Sequence, residues 1–377
     1  MSKYVEGSVW FYAPAKVTPI IFMILFLLSG IVHLYQNVRY KSWRATLFLP
    51  WAALIMSAGF AMRLAGAYHI DGLSFLIAST VLVMSGPPVY AASNYLVLSR
   101  VLFYVPYLAP MHPGRVLSTF VGLDFIIEIL IVNGALRVAN TSLAATERQV
   151  GDIMVKASLI TQAIIFLFLI ALTIHFHTRA LRANVLTRKL RTVLLVLYTT
   201  SAAVAIRCIF RIVEYFQGYT GTLYTHEHYF YIFEAFLMFL TTLVLNVWHP
   251  GGRLPRSNKV YLSQDSVTER RGLGWGDKRN WAVTFFDPFD LVGLVRGHDK
   301  RTRFWEMSDE EIAAIEAERE RNKRAWWKGA LDPFHVYGRD GAIARANGRR
   351  GKEESKGIDK TPGAETEVSK RSVENAV

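Results

Sequence analysis

Seven stretches of this chain are apolar over about twenty residues or more, the length a helix needs to cross a hydrocarbon layer of about 30 Å. They run over Val17–Gln36, Thr46–Tyr68, Leu73–Leu98, Val116–Leu136, Ile153–Phe176, Thr192–Val213 and Tyr229–Trp248. Buried helices of soluble proteins rarely reach that length seven times in succession. The sequence therefore predicts an all-α polytopic membrane protein with seven transmembrane helices, and an uncleaved first span, since no small-residue cleavage site follows it.

The charge is distributed as a membrane topology requires. A net charge of +13 over 377 residues raises the possibility of nucleic-acid binding. However, the basic residues gather in short loops and in the tail, and no metal-ligand spacing or recognition helix accompanies them. No nucleic-acid partner is expected. The first, third and fifth loops carry Arg39, Lys41 and Arg44; Arg100 and Arg115; and Arg179, Arg182, Arg188, Lys189 and Arg191. The second and sixth loops carry no Lys or Arg, and the fourth only Arg137 and Arg148. Lys and Arg resist translocation, so the amino terminus is expected outside and the carboxyl terminus in the cytoplasm. The one sequon, Asn140-Thr141-Ser142, falls in the fourth loop, on the expected outer side, which makes Asn140 a possible glycosylation site. Trp10-Phe11-Tyr12, Tyr104, Tyr107 and Trp248 read as interfacial anchors.

Four regions are expected: an extracellular segment over 1–16, the helical domain over 17–250, a basic cytoplasmic tail over 251–343, and a disordered end over 344–377. Trp275, Trp281 and Phe285-Phe286 stand in an irregular part of the tail. Ser308-Asp-Glu-Glu311 forms a capping box that opens a charged helix to about Trp327. The single cysteine, Cys208, lies in an apolar run and reads as a small buried hydrophobe.

Ionisable side chains inside the spans cost about 2.5–3.5 kcal/mol each on insertion scales, so each demands a reason. They are Arg63 in the second span, Asp124 and Glu128 in the fourth, Arg207, Arg211 and Glu214 on one stripe of the sixth, and Glu234 in the seventh. Two readings stand: a salt-bridge network that fixes helix packing, or the polar floor of an outward-facing cavity that holds the headgroup of an amphiphile. Gly86-Pro87-Pro88, near the middle of the third span, predicts a kink at Pro87 and Pro88. Asn94, Asn133 and Gln162 are expected to hydrogen-bond between helices.

The sixth and seventh spans carry a more specific pattern: Ile206-Arg207, Phe210-Arg211, Glu214, Gly218, Gly221, Glu227, Tyr231 and Glu234, closed by His249-Pro250-Gly251. Together with Gly59-Phe60-x-x-Arg63, Pro88-x-Tyr90-Ala91-Ala92-x-x-Tyr95, Arg100, Asp124, Gly151 and Gln162, it resembles the fungal RTA1-like, or lipid-translocating exporter, family over about residues 10–255. The departures are Met56 for the usual glutamate, Glu234 for the usual aspartate, and Glu128 as an added charge.

The resemblance implies a fungal transporter of lipids or other amphiphiles such as sphingoid bases, sterol-like toxins or porphyrins. It also implies a contribution to efflux or resistance, membrane lipids as partners, and a place in the plasma membrane, with the vacuolar or endoplasmic reticulum membrane as the alternative. No cofactor, metal or enzymatic activity is expected. The competing reading is a receptor-like sensor or regulator of lipid asymmetry. His175 and His177 lie at one end of the bundle and His226 and His228 at the other, so the four cannot hold one metal.

Overall fold

The computed structural model describes residues 8–10, 12–140, 142–218, 221–274, 304–308, 310–318 and 320–321. The chain divides into two units, Met1–Met307 and Ser308–Val377. In the first, seven long helices follow one another: α1 Val17–Tyr40, α2 Phe48–Tyr68, α3 Leu73–Tyr104, α4 Pro113–Ala139, α5 Ala145–Arg182, α6 Arg188–Gln217 and α7. Helix α7 is composite: an α-helical turn Glu227–Phe230, a π-helical segment Tyr231–Phe236 and an α-helical stretch Leu237–Val247. All seven are long and apolar enough to cross a membrane.

Consecutive helices pack on each other, and α7 closes the bundle by returning between α1 and α6. Helix α3 touches α2, α4, α6 and α7 and is therefore the central strut. Its residues from Tyr90 to Ser99 are buried without interruption. The outer faces are the reverse of a soluble protein's: Ile21, Leu28 and Ile31 on α1 and Ile164, Leu167 and Ile174 on α5 are all exposed. Contiguous apolar surface on that scale is stable only against lipid. This is an integral membrane protein.

With lipid outside, no hydrophobic force drives helices together, so close packing and polar contacts must do so. Between α1 and α7, the Ser29 and Thr242 hydroxyls lie 2.7 Å apart, His33 Nε2 is 3.0 Å from Thr242 Oγ1, and Asn246 donates to Ser29 at 2.6 Å. Thr200 of α6 donates to Asn94 of α3 at 3.0 Å, the interhelical bond expected of Asn94. Asn133 departs from that expectation: it accepts from Arg137 one turn along its own helix. Gln162 and Cys208 are buried.

Helices α4 and α5 cross at two glycines. A Cβ on Gly134 would stand 2.7 Å from the Gly151 carbonyl oxygen, and one on Gly151 2.8 Å from that of Gly134. Neither backbone can yield, so Gly151→Leu is expected to force the helices apart. The cost of such overpacking is about 1–3 kcal/mol, read as a lower melting temperature in detergent.

The helices overrun their apolar windows. Helix α5 has 38 residues, whereas the apolar window covers only its middle. Helix α3 stays helical through both Pro87 and Pro88. After Pro250–Gly252 the chain forms a hairpin, β1 Val260–Leu262 paired antiparallel with β2 Glu269–Arg271, in a stretch the sequence marks only as basic tail. The Tyr104 hydroxyl donates to Glu269 at 2.9 Å and that of Tyr107 to the Ser263 carbonyl at 3.1 Å. These two tyrosines bind the hairpin to the bundle.

In the second unit the described residues after Ser308 are helical. The capping box forms: Glu311 N–H donates to Ser308 Oγ at 3.2 Å, and Ser308 N–H to Glu311 Oε2 at 2.9 Å. The aromatic stretch from Trp275 to Phe286, the end of the charged helix at Trp327 and the region expected to be disordered over 344–377 lie outside the described residues.

Candidate functional site

Arg63, Arg207, Arg211, Glu214, Glu227 and Glu234 converge at the end of the bundle that carries the chain's N-terminal segment. They form two ion-paired centres in adjacent layers.

The deeper centre joins α6 to α7. Arg207 and Arg211 are four residues apart and so project from one face of α6. Each donates its Nε to a different oxygen of the same carboxylate: Arg207 to Glu234 Oε1 at 2.7 Å, Arg211 to Glu234 Oε2 at 2.6 Å. Arg211 also donates to Glu214 Oε2 at 2.7 Å. Glu234 is fully buried, and it sits in the π-helical segment of α7. A π turn holds one more residue than an α turn and is frequently found at functional sites.

The upper centre joins α2, α7 and the N-terminal segment. Arg63 pairs with Glu227 at 2.9 Å, its Nε donates to the Tyr231 hydroxyl at 3.3 Å, and it also donates to the Tyr12 hydroxyl. Glu227 accepts from Tyr231 at 3.2 Å and from the Ala15 backbone N–H at 2.8 Å. Four aromatic rings surround the guanidinium, with centroids 4.1 Å away for Phe230, 5.0 Å for Trp10, 5.5 Å for Tyr231 and 5.8 Å for Tyr12. A desolvated cation over an aromatic face gains about 2 kcal/mol or more. Burial pushes the Tyr12 phenol above its ordinary pKa, so it stays a neutral hydroxyl beside the arginine.

Here the structure corrects the reading of Trp10 and Tyr12 as interfacial anchors. Both are buried, turned inward onto Arg63. The Val9 N–H donates to the Ile70 carbonyl at 3.0 Å. The Trp10 ring lies so close to α2 that a Cβ on Gly66 would meet its Cζ2 at 2.7 Å. Such a role could not be read from a tryptophan sixteen residues or fewer from the chain's start, because its partners are distant in sequence.

A cavity of about 360 Å³ lies between these layers and α3, α4 and α5. Its charged lining is Arg63, Asp152, Lys156, Arg211, Glu214 and Glu227. Each cation has an acid beside it, Lys156 meeting Asp152 at 2.7 Å as the other two meet theirs. Much of the rest of the lining is apolar, including Leu76, Val83, Met84, Ile131, Leu159 and Phe230. Arg207 and Glu234 stand behind this lining rather than in it. Asp152 and Lys156 escaped the sequence reading because they fall before or at the edge of an apolar window; their i, i+4 spacing was the available signal.

Asp124, Glu128 and Gln162 belong to none of these ion pairs. Asp124 of α4 is buried and accepts the Tyr95 hydroxyl at 2.7 Å, while its second oxygen has no partner among the described residues. Glu128 accepts the Ser85 hydroxyl at 3.3 Å. Neither these two nor Gln162 lines the cavity. Pro87 and Pro88 follow directly on the α3 stretch that does, which ends at Met84. Asn140 caps the end of α4, exposed, and its side chain accepts from the N–H and hydroxyl of Ser142.

Residues 49–257 match the family model described as RTA1 like protein, a span that takes in both ion-paired centres from Arg63 to Glu234. The chain belongs to the RTA1-like family. Among curated proteins, this RTA1-like chain is 36% identical to the lipid-translocating exporter-like protein RTA1 of Leptosphaeria maculans over 78% of its own length and 61% of the relative's. It thus spans less than two thirds of that protein. It is 32% identical to the protein of the same description from Ajellomyces capsulatus, over 69% of its own length and 86% of the relative's. Protoporphyrin uptake protein 1 of Saccharomyces cerevisiae is 23% identical, over 63% and 90% of the two chains. No solved structure matches. The names of these relatives describe lipid translocation and export in two cases and protoporphyrin uptake in the third.

Proposed function

We propose that this chain transports amphiphiles across a membrane, and that the cavity between α2 and α7 is where it holds them. The single observation that carries the reading is the cavity's mixed lining. Ionised side chains and hydrocarbon line the same space, the two chemistries found in a lipid with a polar head and an apolar tail. The charged lining is balanced, with three cations against three carboxylates, so it favours zwitterionic or amino-alcohol headgroups over strongly anionic ones. Sphingoid bases have that headgroup class, and the family resemblance points to the same substrates. Porphyrins, named in one relative, are the second candidate.

The two readings of the charges combine in this proposal. The Arg207–Glu234–Arg211 centre fixes the packing of α6 on α7, and the Arg63–Glu227 and Arg211–Glu214 pairs present their outer sides to the substrate. With the loop charges facing the cytoplasm, the cavity lies on the outer side, consistent with release to the exterior and a role in resistance.

The test is reconstitution of the purified full chain into liposomes loaded with a fluorescent sphingoid base. Flux above that of protein-free vesicles, lost in Glu214→Gln while the protein stays monodisperse, supports the proposal. Flux no greater than in empty vesicles for sphingoid bases, lysolipids and porphyrin alike would overturn transport and leave a sensor.

A further inference from the structure

At the opposite end of the bundle, where α1, α3 and α7 finish, the described residues form a second concavity of about 340 Å³. Lys41, Arg100 and Arg256 are in its lining, and no carboxylate is. The lining of the substrate cavity differs in that it includes carboxylates. Trp43, Val97 and Leu254 supply an apolar wall.

The concavity is built by tertiary contact. Arg100, in the last turns of α3, donates to the Arg256 carbonyl at 3.1 Å and so draws the segment after α7 against α3. Lys41 closes α1 in a left-handed conformation, with φ of 51°. That turn directs the chain into Ser42, whose hydroxyl lies 3.2 Å from Asn37 Oδ1 and 2.9 Å from Thr46 Oγ1. The floor is therefore fixed by hydrogen bonds before any ligand arrives. Trp43 is exposed at a helix end, the depth at which amphipathic rings meet lipid headgroups.

We propose that this concavity is a binding site for a phosphate ester, supplied by an anionic membrane phospholipid. Lys41 and Arg256, both exposed, meet the phosphate while Arg100 holds the Arg256 backbone in place, and Trp43, Val97 and Leu254 contact the glycerol and first methylenes of the acyl chains. Basic pockets between transmembrane helices are suited to such headgroups, each Lys or Arg near the surface contributing about fivefold in affinity. The site is separate from the transport cavity, and it does not depend on what that cavity carries.

The experiment uses the purified full chain in detergent and titrates phosphatidylinositol, phosphatidylserine, phosphatidylcholine and inorganic phosphate, with native mass spectrometry and thermal shift as readouts. The anionic lipids are expected to bind more tightly than phosphatidylcholine. Lys41→Asn, which tolerates the left-handed backbone, combined with Arg256→Gln is expected to weaken them about twenty-fivefold, from about fivefold for each cation. Arg39→Gln, exposed on the same end but outside the concavity, is expected to change binding little. Should the double variant fail to fold, Arg256→Gln alone, an exposed side chain, is expected to lose about fivefold. Equal loss in Arg39→Gln, or no loss in either Arg256→Gln or the double variant, overturns the site. Inorganic phosphate binding as tightly as lipid overturns the lipid assignment.

Discussion

Glu234→Ala is expected to abolish assembly of the folded bundle. The carboxylate is fully buried and is the shared partner of Arg207 and Arg211. Its removal takes the shared carboxylate from two guanidinium groups in the membrane interior, and breaking a buried pair by deleting one partner costs about 3–5 kcal/mol. Arg211 retains Glu214, so the greater burden falls on Arg207. The double variant Arg207→Leu/Glu234→Leu removes both charges of that pair and leaves Arg211–Glu214 balanced, so it is expected to regain much of the lost stability. Melting temperatures by fluorescence-detected size exclusion distinguish the outcomes. A double variant as unstable as Glu234→Ala alone would show that the carboxylate acts through something other than its arginines. If the double variant folds but moves no amphiphile, the centre serves transport beyond holding the helices.

The second large effect is expected at Arg63, and it separates charge from shape. Arg63→Lys keeps the positive charge near Glu227 but loses the flat guanidinium that faces four rings and donates to two tyrosines. Lysine is a compact, strongly hydrated point charge and does not substitute in such a setting. A loss of about 2 kcal/mol, roughly thirtyfold in an equilibrium, is expected. The consequence is release of the N-terminal segment, which Arg63 holds through Trp10 and Tyr12. Hydrogen exchange over residues 8–15 should accelerate by that factor while the helices remain protected. Unchanged exchange there would mean that the Val9–Ile70 and Ala15–Glu227 bonds suffice to hold the segment.

The helix overruns show one limit of reading spans from hydropathy. Apolar windows mark the part of a helix that meets hydrocarbon, but the hydrogen-bonded helix continues wherever its residues permit. Glu147, Arg148, Asp152 and Lys156 are acceptable helix formers outside or at the edge of the apolar layer, so α5 begins well before its window. The hairpin was hidden for another reason. Strands of three residues carry too little periodic signal, and the hairpin is held at Glu269 and Ser263 by Tyr104 and Tyr107, more than 150 residues earlier.

What the sequence determined by itself is the number of spans, their order and which side chains are too costly to face lipid. Those follow from transfer free energies, which depend on residue type and length alone. It also placed Arg207, Arg211 and Glu214 on one stripe, because helical periodicity is local. Partner choice was decided only by the folded bundle. Glu234 takes two arginines, Glu227 takes Arg63, Asp124 takes a tyrosine, and Trp10 and Tyr12 leave the interface to enclose a cation. Pairing depends on the rotation and depth of each helix against its neighbours, and those are set by close contacts such as Gly134 on Gly151 that no single segment contains.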